Sequence, residues 1–405
     1  MYLNHLSLTN FRSFTRLDMD FPRRVVLLTG SNAQGKTSML EAIYFLAAFS
    51  SFQTHTDRQL VNFIEARKDL AVGRLVAEYT RGPAKHRLEA RLVLEPVGAT
   101  GQRLRKEILL DGVKRNATDA IGHFNAVIFL PQMTRIIEQG PEERRRYLNL
   151  ALSQVVPGYA LALGEYNQAL TQRNALLKQL SERIGGDQEQ LTFWDELVSR
   201  RGAQLMQARI LAVRDLERLA ARIHNRLTHS NEVLRLVYQP AYEPLSQPTG
   251  QYSLPITTPV DRTGLSIDQI REGFCQKLKE LRNEEISRGM TTIGPHRDEL
   301  RFLSNGIDLG NYGSRGQVRT TLLAIKLAEV AWMKEKTGQS PVLLLDEILA
   351  ELDIQRRADL LEALEENEQG LLTTTDLKLF TEGFTRQAAL WEVQGGAIRA
   401  IENRQ

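Results

Sequence analysis

The sequence predicts an α/β fold in which an inserted helical lobe interrupts a mixed sheet. Two continuous apolar runs, Val25–Leu28 and Val342–Leu345, are typical of strands buried on both faces of a sheet. Between them, residues 141–289 are rich in Leu, Ala, Arg, Glu and Gln at helical spacing. We therefore predict a discontinuous α/β domain, residues 1–140 and 290–405, around a helical lobe.

The composition is that of a globular protein from a reducing compartment. The 405 residues leave room for two or three domains of ~150 residues each, and 42% of them are hydrophobic and 25% charged. Cys275 is the single cysteine, which excludes a disulfide framework and a four-cysteine zinc site. No apolar stretch approaches the ~18 residues of a membrane span, and the first residues lack a signal-peptide pattern. We expect a cytoplasmic protein without a membrane partner.

The charge is uneven along the chain. Residues 1–140 carry 19 Lys and Arg against 13 Asp and Glu, whereas the remaining residues carry 33 against 36. A basic amino-terminal part could attract a polyanion such as DNA or a nucleotide. An excess of six positive charges is modest, so the alternative is that these side chains are only solvated and bind no polyanion.

The segments on either side of the predicted strand at Val25–Leu28 indicate further strands. Up to about residue 115, apolar and polar residues alternate with period 2, as in Leu17–Phe21 and Leu88–Leu94. Asp111-Gly112 lies between two apolar segments and predicts a hairpin turn.

The helical lobe is expected to contain three helical segments. They are 159–184, 188–228 and Ser266–Arg288, the last with Ser266 as its N-cap. Gly185-Gly186 separates the first two, and a proline-rich stretch from about 237 to 264 reads as a loop. The longest helix would span about 60 Å at ~1.5 Å per residue, which makes a short coiled arm.

A phosphate-binding motif follows the first buried strand. Residues 30–37, hereafter the phosphate loop, match G-x-x-x-x-G-K-[ST] at every fixed position and open a predicted helix. The loop amides can surround phosphates, Lys36 would reach the β- and γ-phosphates, and the Thr37 hydroxyl would bind Mg²⁺. The strand–loop–helix context disfavours a chance glycine-rich turn. The predicted nucleotide ligands are Gly30, Ser31, Asn32, Ala33, Gln34, Gly35, Lys36, Thr37 and Ser38.

Two acids end the second buried strand. Asp346 would hold Mg²⁺ directly or through water, and Glu347 would orient or deprotonate the attacking water as the catalytic base. The alternative is a strand that ends in two solvated acids without a function. The phosphate loop in the same chain disfavours this alternative.

Two further motifs flank that strand. Ser314-Arg315-Gly316-Gln317, hereafter the signature, precedes a predicted helix, Val318–Lys334, and makes an anion-binding helix start. In ABC-type ATPases the signature of one subunit closes on the γ-phosphate bound by the other, so Ser314, Gly316 and Gln317 are predicted nucleotide ligands. Ala350-Glu351-Leu352-Asp353 looks like the D-loop of these ATPases, with Asp353 at the nucleotide, although a simple helix cap is possible.

Other strings, in order along the chain, resemble one family. They are Leu6–Phe14, Gly140–Asn149, Gln172–Asn174, Trp194-Asp195 and Thr292–Asp298. Together with the motifs above they make the chain similar, from end to end, to the RecF family of bacterial recombination mediators, which are relatives of the SMC ATPase heads.

The resemblance implies an ABC-type P-loop ATPase head that uses ATP and Mg²⁺ and forms an ATP-dependent homodimer. It implies binding of DNA at gaps and at junctions of single strand and duplex, with RecO and RecR as partners in loading recombinase. It also implies a role in replication maintenance and SOS induction, with weak, DNA-stimulated hydrolysis as a release switch. The arginines at 144–146 could contact DNA, or be solvated or paired within the protein.

The chain departs from the family pattern at three places near the nucleotide. One is Glu347, where the family usually has Asp and ABC ATPases have the longer Glu. Pro131-Gln132 stands where the family has Pro followed by two acids, so Gln132 could be the metal- and water-sensing glutamine of ABC ATPases. Phe52-Gln53-Thr54 stands where the family often has Phe-Arg-Thr, and Arg58 is a possible substitute for the missing arginine.

Two further positions concern histidine. The switch histidine of ABC transporters has no counterpart, and sensing of the γ-phosphate could fall to Thr375 or Asp376. In the string Gly294–Asp298 we favour a structural role, with His296 packed and Asp298 paired with Arg297, over a catalytic one.

Three other functions compete with this interpretation. An SMC-like structural protein that tethers DNA is disfavoured by the short arm and the absence of a cysteine hook. An ABC transporter domain is disfavoured by the inserted lobe and the missing histidine. A nuclease of the ATPase-plus-Toprim type is disfavoured because only 52 residues follow Asp353.

Overall fold

The computed structural model of the protein describes residues 1–54, 56–97, 101–182, 187–245 and 260–401. The strands in these residues are β1 Tyr2–Phe11, β2 Phe14–Asp20, β3 Val25–Thr29, β4 Ala71–Arg81, β5 Ala84–Val97, β6 Gly101–Leu110, β7 Val113–Arg115, β8 Ala126–Phe129, β9 Leu234–Gln239, β10 Glu299–Ser304, β11 Ile307–Asp308, β12 Val342–Asp346, β13 Gly370–Thr374, β14 Ala389–Gln394 and β15 Ala397–Ala400. The α-helices are α1 Lys36–Ala48, α2 Ala117–Ala120, α3 Arg135–Glu138, α4 Pro141–Val155, α5 Tyr159–Ser181, α6 Gln190–Leu227, α7 Ile267–Glu280, α8 Arg282–Arg288, α9 Leu309–Tyr312, α10 Arg315–Thr337, α11 Ile354–Glu365 and α12 Glu382–Gln387.

These elements form two compact units. One combines Met1–Thr134 with Leu322–Gln405 and is called the phosphate-loop unit; the other, Arg135–Thr321, is called the signature unit. The helical lobe predicted for residues 141–289 lies in the signature unit. That unit also takes in residues 290–321, because β10 pairs along its length with β9.

The phosphate-loop unit contains two six-stranded sheets. One is antiparallel, in the order β2-β1-β4-β5-β6-β7. The other is mixed, in the order β15-β14-β3-β13-β12-β8, with only β14 and β15 antiparallel. Both predicted buried strands, β3 and β12, lie in the mixed sheet on either side of β13. Their carboxyl ends therefore meet at one edge, where ligands bind in open parallel sheets.

Helix α1 follows the phosphate loop and is apolar on almost every side. All of its residues from Met39 to Ala48 are buried, and it contacts β8 and β12 of the mixed sheet and β4 and β5 of the antiparallel sheet. A helix that is buried on all sides needs apolar residues on all of its faces. The loop at its amino end is thus carried by the core of the unit.

In the signature unit, α5 packs against α6 and α8, and α6 packs against α7. The predicted segments 159–184 and 188–228 correspond to α5 and α6. The predicted helix from Ser266 to Arg288 is instead two helices, α7 and α8, which meet at Leu281. Ser266 caps α7 as predicted, in a capping box with Gln269.

The connections agree with the sequence where they are described. Asp111 and Gly112 both have positive φ, 51° and 80°, and form the tight turn between β6 and β7. The proline-rich stretch is shorter than predicted, since its first residues complete β9, and its part 246–259 lies outside the described residues, as does Gly185-Gly186. Among the described helices, none is both long and apolar enough to cross a bilayer.

Candidate functional site

The phosphate loop has a backbone that needs glycine at both ends. Gly30 and Gly35 have φ values of 142° and 107°, a region that residues with a Cβ rarely adopt. A Cβ at Gly30 would also lie 2.4 Å from the carbonyl oxygen of Val393 in β14. The spacing of the two glycines in the motif therefore reflects the turn and the close approach of a neighbouring strand.

Lys36 is buried at the centre of the site. Its side chain is 4% exposed, and its Nζ donates to the carbonyl oxygens of Gly30 (2.6 Å) and Ser31 (3.4 Å). The same Nζ forms an ion pair with Glu347 Oε1 at 3.0 Å. The ammonium that was predicted to meet phosphates thus lies beside the acid that was predicted to activate water.

Asp346 lies opposite the first turn of α1. Thr37 Oγ1 donates to its two carboxylate oxygens, at 2.9 and 2.8 Å, and Thr373 Oγ1 donates to Oδ1 at 2.7 Å. Burial raises the pKa of Asp346 above its usual value, against the lowering effect of these hydroxyls. A carboxylate and a hydroxyl side by side are the oxygen ligands that Mg²⁺ takes in nucleotide sites, so the residues present fit the predicted ion.

Glu347 leaves the strand in a left-handed conformation. Its φ is 50°, and its backbone N–H donates to Thr373 Oγ1 at 3.0 Å. Its side chain is 37% exposed, which leaves the carboxylate open to water. Thr373 therefore orients both acids at once, and it lies between Leu28 and Asp346 in the register of the mixed sheet.

Most of the predicted phosphate-loop residues line one cleft of about 430 Å³. Its walls are Ser13, Asn32, Ala33, Gln34, Gly35, Lys36, Thr37, Ser38, Pro131, Gln132, Asp346 and Glu347. Gln132, proposed from its position after a proline, does reach this cleft. Arg58 is not among the lining residues, and its Nη2 donates to Gln102 Oε1 at 2.6 Å instead.

Ser13 is a cleft residue that the sequence did not single out. The turn between β1 and β2 carries it to the phosphate loop, where a Cβ at Gly35 would lie 3.1 Å from Ser13 Oγ. The preceding Arg12 holds this turn through two 2.7 Å contacts to Glu41, a fully buried residue of α1 that also accepts from Ser51. The string Leu6–Phe14 was the available signal, but it was read only as a strand.

The carboxyl-terminal hairpin supports the loop from the other side. Gly395 N–H, in the turn between β14 and β15, donates to Gln34 Oε1 at 2.6 Å, and Gly396 N–H donates to Gln34 O at 3.3 Å. The amide oxygen of Gln34 is therefore occupied within the protein.

Thr375 and Asp376 do not line the cleft. Asp376 instead caps the short 3-10 helix Leu377–Leu379 by accepting from Lys378 N–H, and its carbonyl accepts from Thr374. Of the threonines near the end of β13, it is Thr373 that contacts the predicted metal ligand.

The signature lies in the signature unit, at the beginning of α10. Ser314 directly precedes this helix, and its Oγ accepts from Gln317 N–H at 3.2 Å. The helix starts three residues earlier than predicted, so Gly316 and Gln317 belong to its first turn. Asp353 caps α11 by accepting from Arg356 N–H at 2.9 Å, as the simpler interpretation of that motif expected.

The string Gly294–Asp298 is built into the core of the signature unit. Tyr166 O–H lies 2.7 Å from His296 Nδ1, and burial lowers the pKa of His296 to about 4. Asp298 pairs with Arg209 at 2.8 Å and not with Arg297, so that part of the prediction was wrong. Arg209 comes from α6, a long-range partner that no local pattern indicates.

Two of the arginines at 144–146 have partners within the signature unit. Arg144 forms an ion pair with Glu299 at 2.6 Å, and Arg145 donates to the carbonyl oxygen of Asp298 at 2.9 Å. These two side chains therefore support the fold in the way the intramolecular alternative described.

Known proteins are similar to almost the whole chain. The model of the RecF/RecN/SMC N-terminal domain family matches residues 2–398. The DNA replication and repair protein RecF of Roseiflexus castenholzii is 37% identical over 98% of this chain and 99% of its own length. Its counterparts from Herpetosiphon aurantiacus and Enterococcus faecalis are 38% and 34% identical, over 98% of this chain and 99% and 98% of theirs.

Solved structures agree with this. Two structures of the recombination mediator protein RecF in the RecFOR pathway, described as RecF-ATPrS and RecF-ATP, match with a TM-score of 0.82 at 28% identity, covering 99% of this chain and 98% and 97% of theirs. An Smc head domain from Pyrococcus furiosus matches with a TM-score of 0.51 at 16% identity, over 99% of this chain and 96% of its own, and shares the fold. The chain therefore has the fold of an SMC-type ATPase head and belongs to the RecF family.

Proposed function

We propose that the protein is an ATP-dependent DNA-binding protein of recombinational repair, in which ATP closes two copies into a dimer. The observation that carries this proposal is the cleft where Lys36, Thr37, Asp346 and Glu347 converge. The relatives named DNA replication and repair protein RecF, and the structure described as RecF-ATP, support the nucleotide and the process.

In this proposal each cleft residue has one task. The loop amides and Lys36 bind the β- and γ-phosphates. Thr37 Oγ1 and the Asp346 carboxylate would hold Mg²⁺, which when bound neutralises phosphate charge. Gln132 would contact the ion's water, and Ser13 would complete the wall beside the loop.

Glu347 would take the proton from the attacking water. Its carboxylate is paired with Lys36 at 3.0 Å, so that the ammonium holds one of its oxygens. Phosphates that draw Lys36 away would therefore free Glu347 for water, so that the acid becomes competent only in the loaded site. The signature serine and Asp353 of the second copy would complete that site, and hydrolysis would be slow, stimulated by DNA, and used for release.

The DNA is proposed to contain gaps or junctions of single strand and duplex, with RecO and RecR as partners. The protein would help to load recombinase, and would serve replication maintenance and SOS induction. The pathway named for the RecF structures supports the two partners, and the basic amino-terminal part supports DNA binding.

Fluorescence anisotropy of gapped and fully paired DNA, with ATP or ADP and over a range of salt, tests the proposal. We expect tighter binding to gapped DNA with ATP than with ADP, and a log–log salt slope that changes by about −0.9 for each phosphate neutralised. The Lys36→Ala variant should show no difference between the nucleotides. Equal affinity in both nucleotide states, or a flat salt response, would refute an ATP-gated DNA clamp.

A further inference from the structure

The signature is closed by a reciprocal capping box. Ser314 Oγ accepts from Gln317 N–H at 3.2 Å, and Gln317 Oε1 accepts from Ser314 N–H at 3.1 Å. A hydroxyl has one hydrogen to donate in addition to its acceptor sites. Ser314 can therefore keep its backbone bond and still donate its O–H to an anion, whereas the side-chain oxygen of Gln317 is already used.

The side-chain nitrogen of Gln317 also has a hydrogen-bond partner, an acid from a distant part of the chain. Gln317 Nε2 donates to Glu232 Oε1 at 3.2 Å, and Glu232 Oε2 accepts from Ser304 Oγ at 2.7 Å. Glu232 lies just before β9, and Ser304 ends β10. One carboxylate thus joins the first turn of α10 to the sheet that β9, β10 and β11 form in the signature unit.

The same carboxylate lies beside the end of the long arm helix. His224, in the last turn of α6, is fully buried, and its Nε2 is 3.8 Å from Glu232 Oε2. This nitrogen is also 3.3 Å from Thr321 Oγ1 in α10. The end of the arm and the helix that carries the signature therefore meet at Glu232.

We propose that Glu232 is a positioning residue for the signature. It holds the Gln317 amide so that the capping box stays closed and Ser314 O–H points outward, and it ties this arrangement to the end of α6. Gln317 then acts by shaping the signature and not by touching the nucleotide. This inference rests on the proposed function, in which the signature acts on the nucleotide of a second copy.

Exchanging the two groups tests the contact. In Gln317→Glu, two carboxylates would face each other across 3.2 Å, so ATP hydrolysis and ATP-dependent dimerisation should fall about tenfold or more. Adding Glu232→Gln restores a donor, because its Nε2 can bond one oxygen of the new glutamate while Ser314 N–H bonds the other. The double variant should recover to within a few-fold of the wild type.

Two controls separate the possible outcomes. Glu217→Ala removes an acid of α6 that pairs with Arg235. Its side chain is 23% exposed, close to the 21% of Glu232, and this variant should hydrolyse ATP normally. A fluorescent ATP analogue should bind every variant with wild-type affinity, because the phosphate loop belongs to the other unit. This binding reports that the phosphate-loop unit is folded, and a wild-type far-UV circular dichroism spectrum reports that the helices of the signature unit are intact.

The positioning role is overturned if Gln317→Glu hydrolyses ATP and dimerises like the wild type. It is also overturned if adding Glu232→Gln does not restore these activities. The Ser314→Arg variant distinguishes a failure of the positioning role from a failure of the proposed function. If Ser314→Arg is inactive while Gln317→Glu is normal, only the role of Glu232 is lost. If Ser314→Arg is fully active, the signature does not act across two copies and the proposed function itself fails.

Discussion

At Lys36, one ammonium serves two kinds of negative partner. It donates to two carbonyls of the phosphate loop and pairs with the carboxylate of Glu347. A buried cation needs such partners, because removing it from water without compensation is costly. Phosphate oxygens would replace the Glu347 contact with a stronger, doubly charged one.

Replacing Lys36 with Ala should therefore weaken nucleotide binding strongly. Loss of a charge-assisted contact of ~1.5–3 kcal/mol corresponds to about 10- to 100-fold in affinity, measured by titration with a fluorescent ATP analogue. Arg58→Ala is the matched control, since it also removes one cation from the phosphate-loop unit but outside the cleft. Tight binding by a folded Lys36→Ala protein would show that the loop is not the phosphate site.

Thr373 is the residue that connects the two acids. Its hydroxyl donates to Asp346 and accepts from the N–H of Glu347. We expect Thr373→Val to lower the rate of ATP hydrolysis about 10- to 100-fold, because both partners lose a buried hydrogen bond. Thr374→Val removes a similarly buried hydroxyl that bonds Asp376, and should hydrolyse ATP at close to the wild-type rate. Equal rates of ATP hydrolysis for the two variants would show that Thr373 does not orient the two acids.

At the scale of the elements, what the sequence predicted well was local. The phosphate loop follows β3 directly, and Asp346 and Glu347 lie at the end of β12, so each motif and its strand could be read together. Thr373 was missed because it meets Asp346 only through strand order, which places β13 between β3 and β12. Ser13 was missed because a turn of the other sheet, between β1 and β2, carries it to the phosphate loop. The pairing of Asp298 with Arg209 likewise depends on a contact between distant segments.

The string around His296 shows how such contacts set protonation. His296 Nε2 lies 3.3 Å from the carbonyl oxygen of Thr291, to which it can only donate, so Nδ1 accepts from Tyr166 O–H. This arrangement requires a neutral ring, and burial lowers the pKa of His296 to about 4 from an ordinary value of 6.5. The ring joins α5 to the segment that precedes β10.

The stability contributed by this contact should depend on pH. The folded pKa is lower than the unfolded one, so the unfolded chain binds the proton more readily, and the contribution is complete above pH 6.5 and lost as the pH falls towards 4. In urea unfolding, the advantage of the wild type over His296→Gln should shrink by about 1–2 kcal/mol between pH 7 and pH 5. An advantage that stays constant over this range would mean that His296 is not held neutral.

At the scale of the whole molecule, the two halves of the proposed nucleotide site belong to different compact units. The phosphate loop with Asp346 and Glu347 lies in one unit, and the signature with Ser314 lies in the other. In the proposed dimer, the signature of one copy serves the phosphate loop of its partner. The arm helix α6 has 38 residues, about 57 Å at ~1.5 Å per residue, which suits a clamp at a DNA site better than a long tether.

Sedimentation velocity with ATP on two variants tests the dimer most directly. In Ser314→Arg the phosphate loop is intact, so ATP should still bind, but the bulky cation should keep the second copy away. In Glu347→Gln the heads should close and stay closed, because loss of the general base slows hydrolysis by ~10²-fold or more. The account predicts a monomer for Ser314→Arg and a long-lived dimer for Glu347→Gln. A dimer of Ser314→Arg as abundant as that of the wild type, or a Glu347→Gln protein that stays monomeric while it binds ATP, would contradict it.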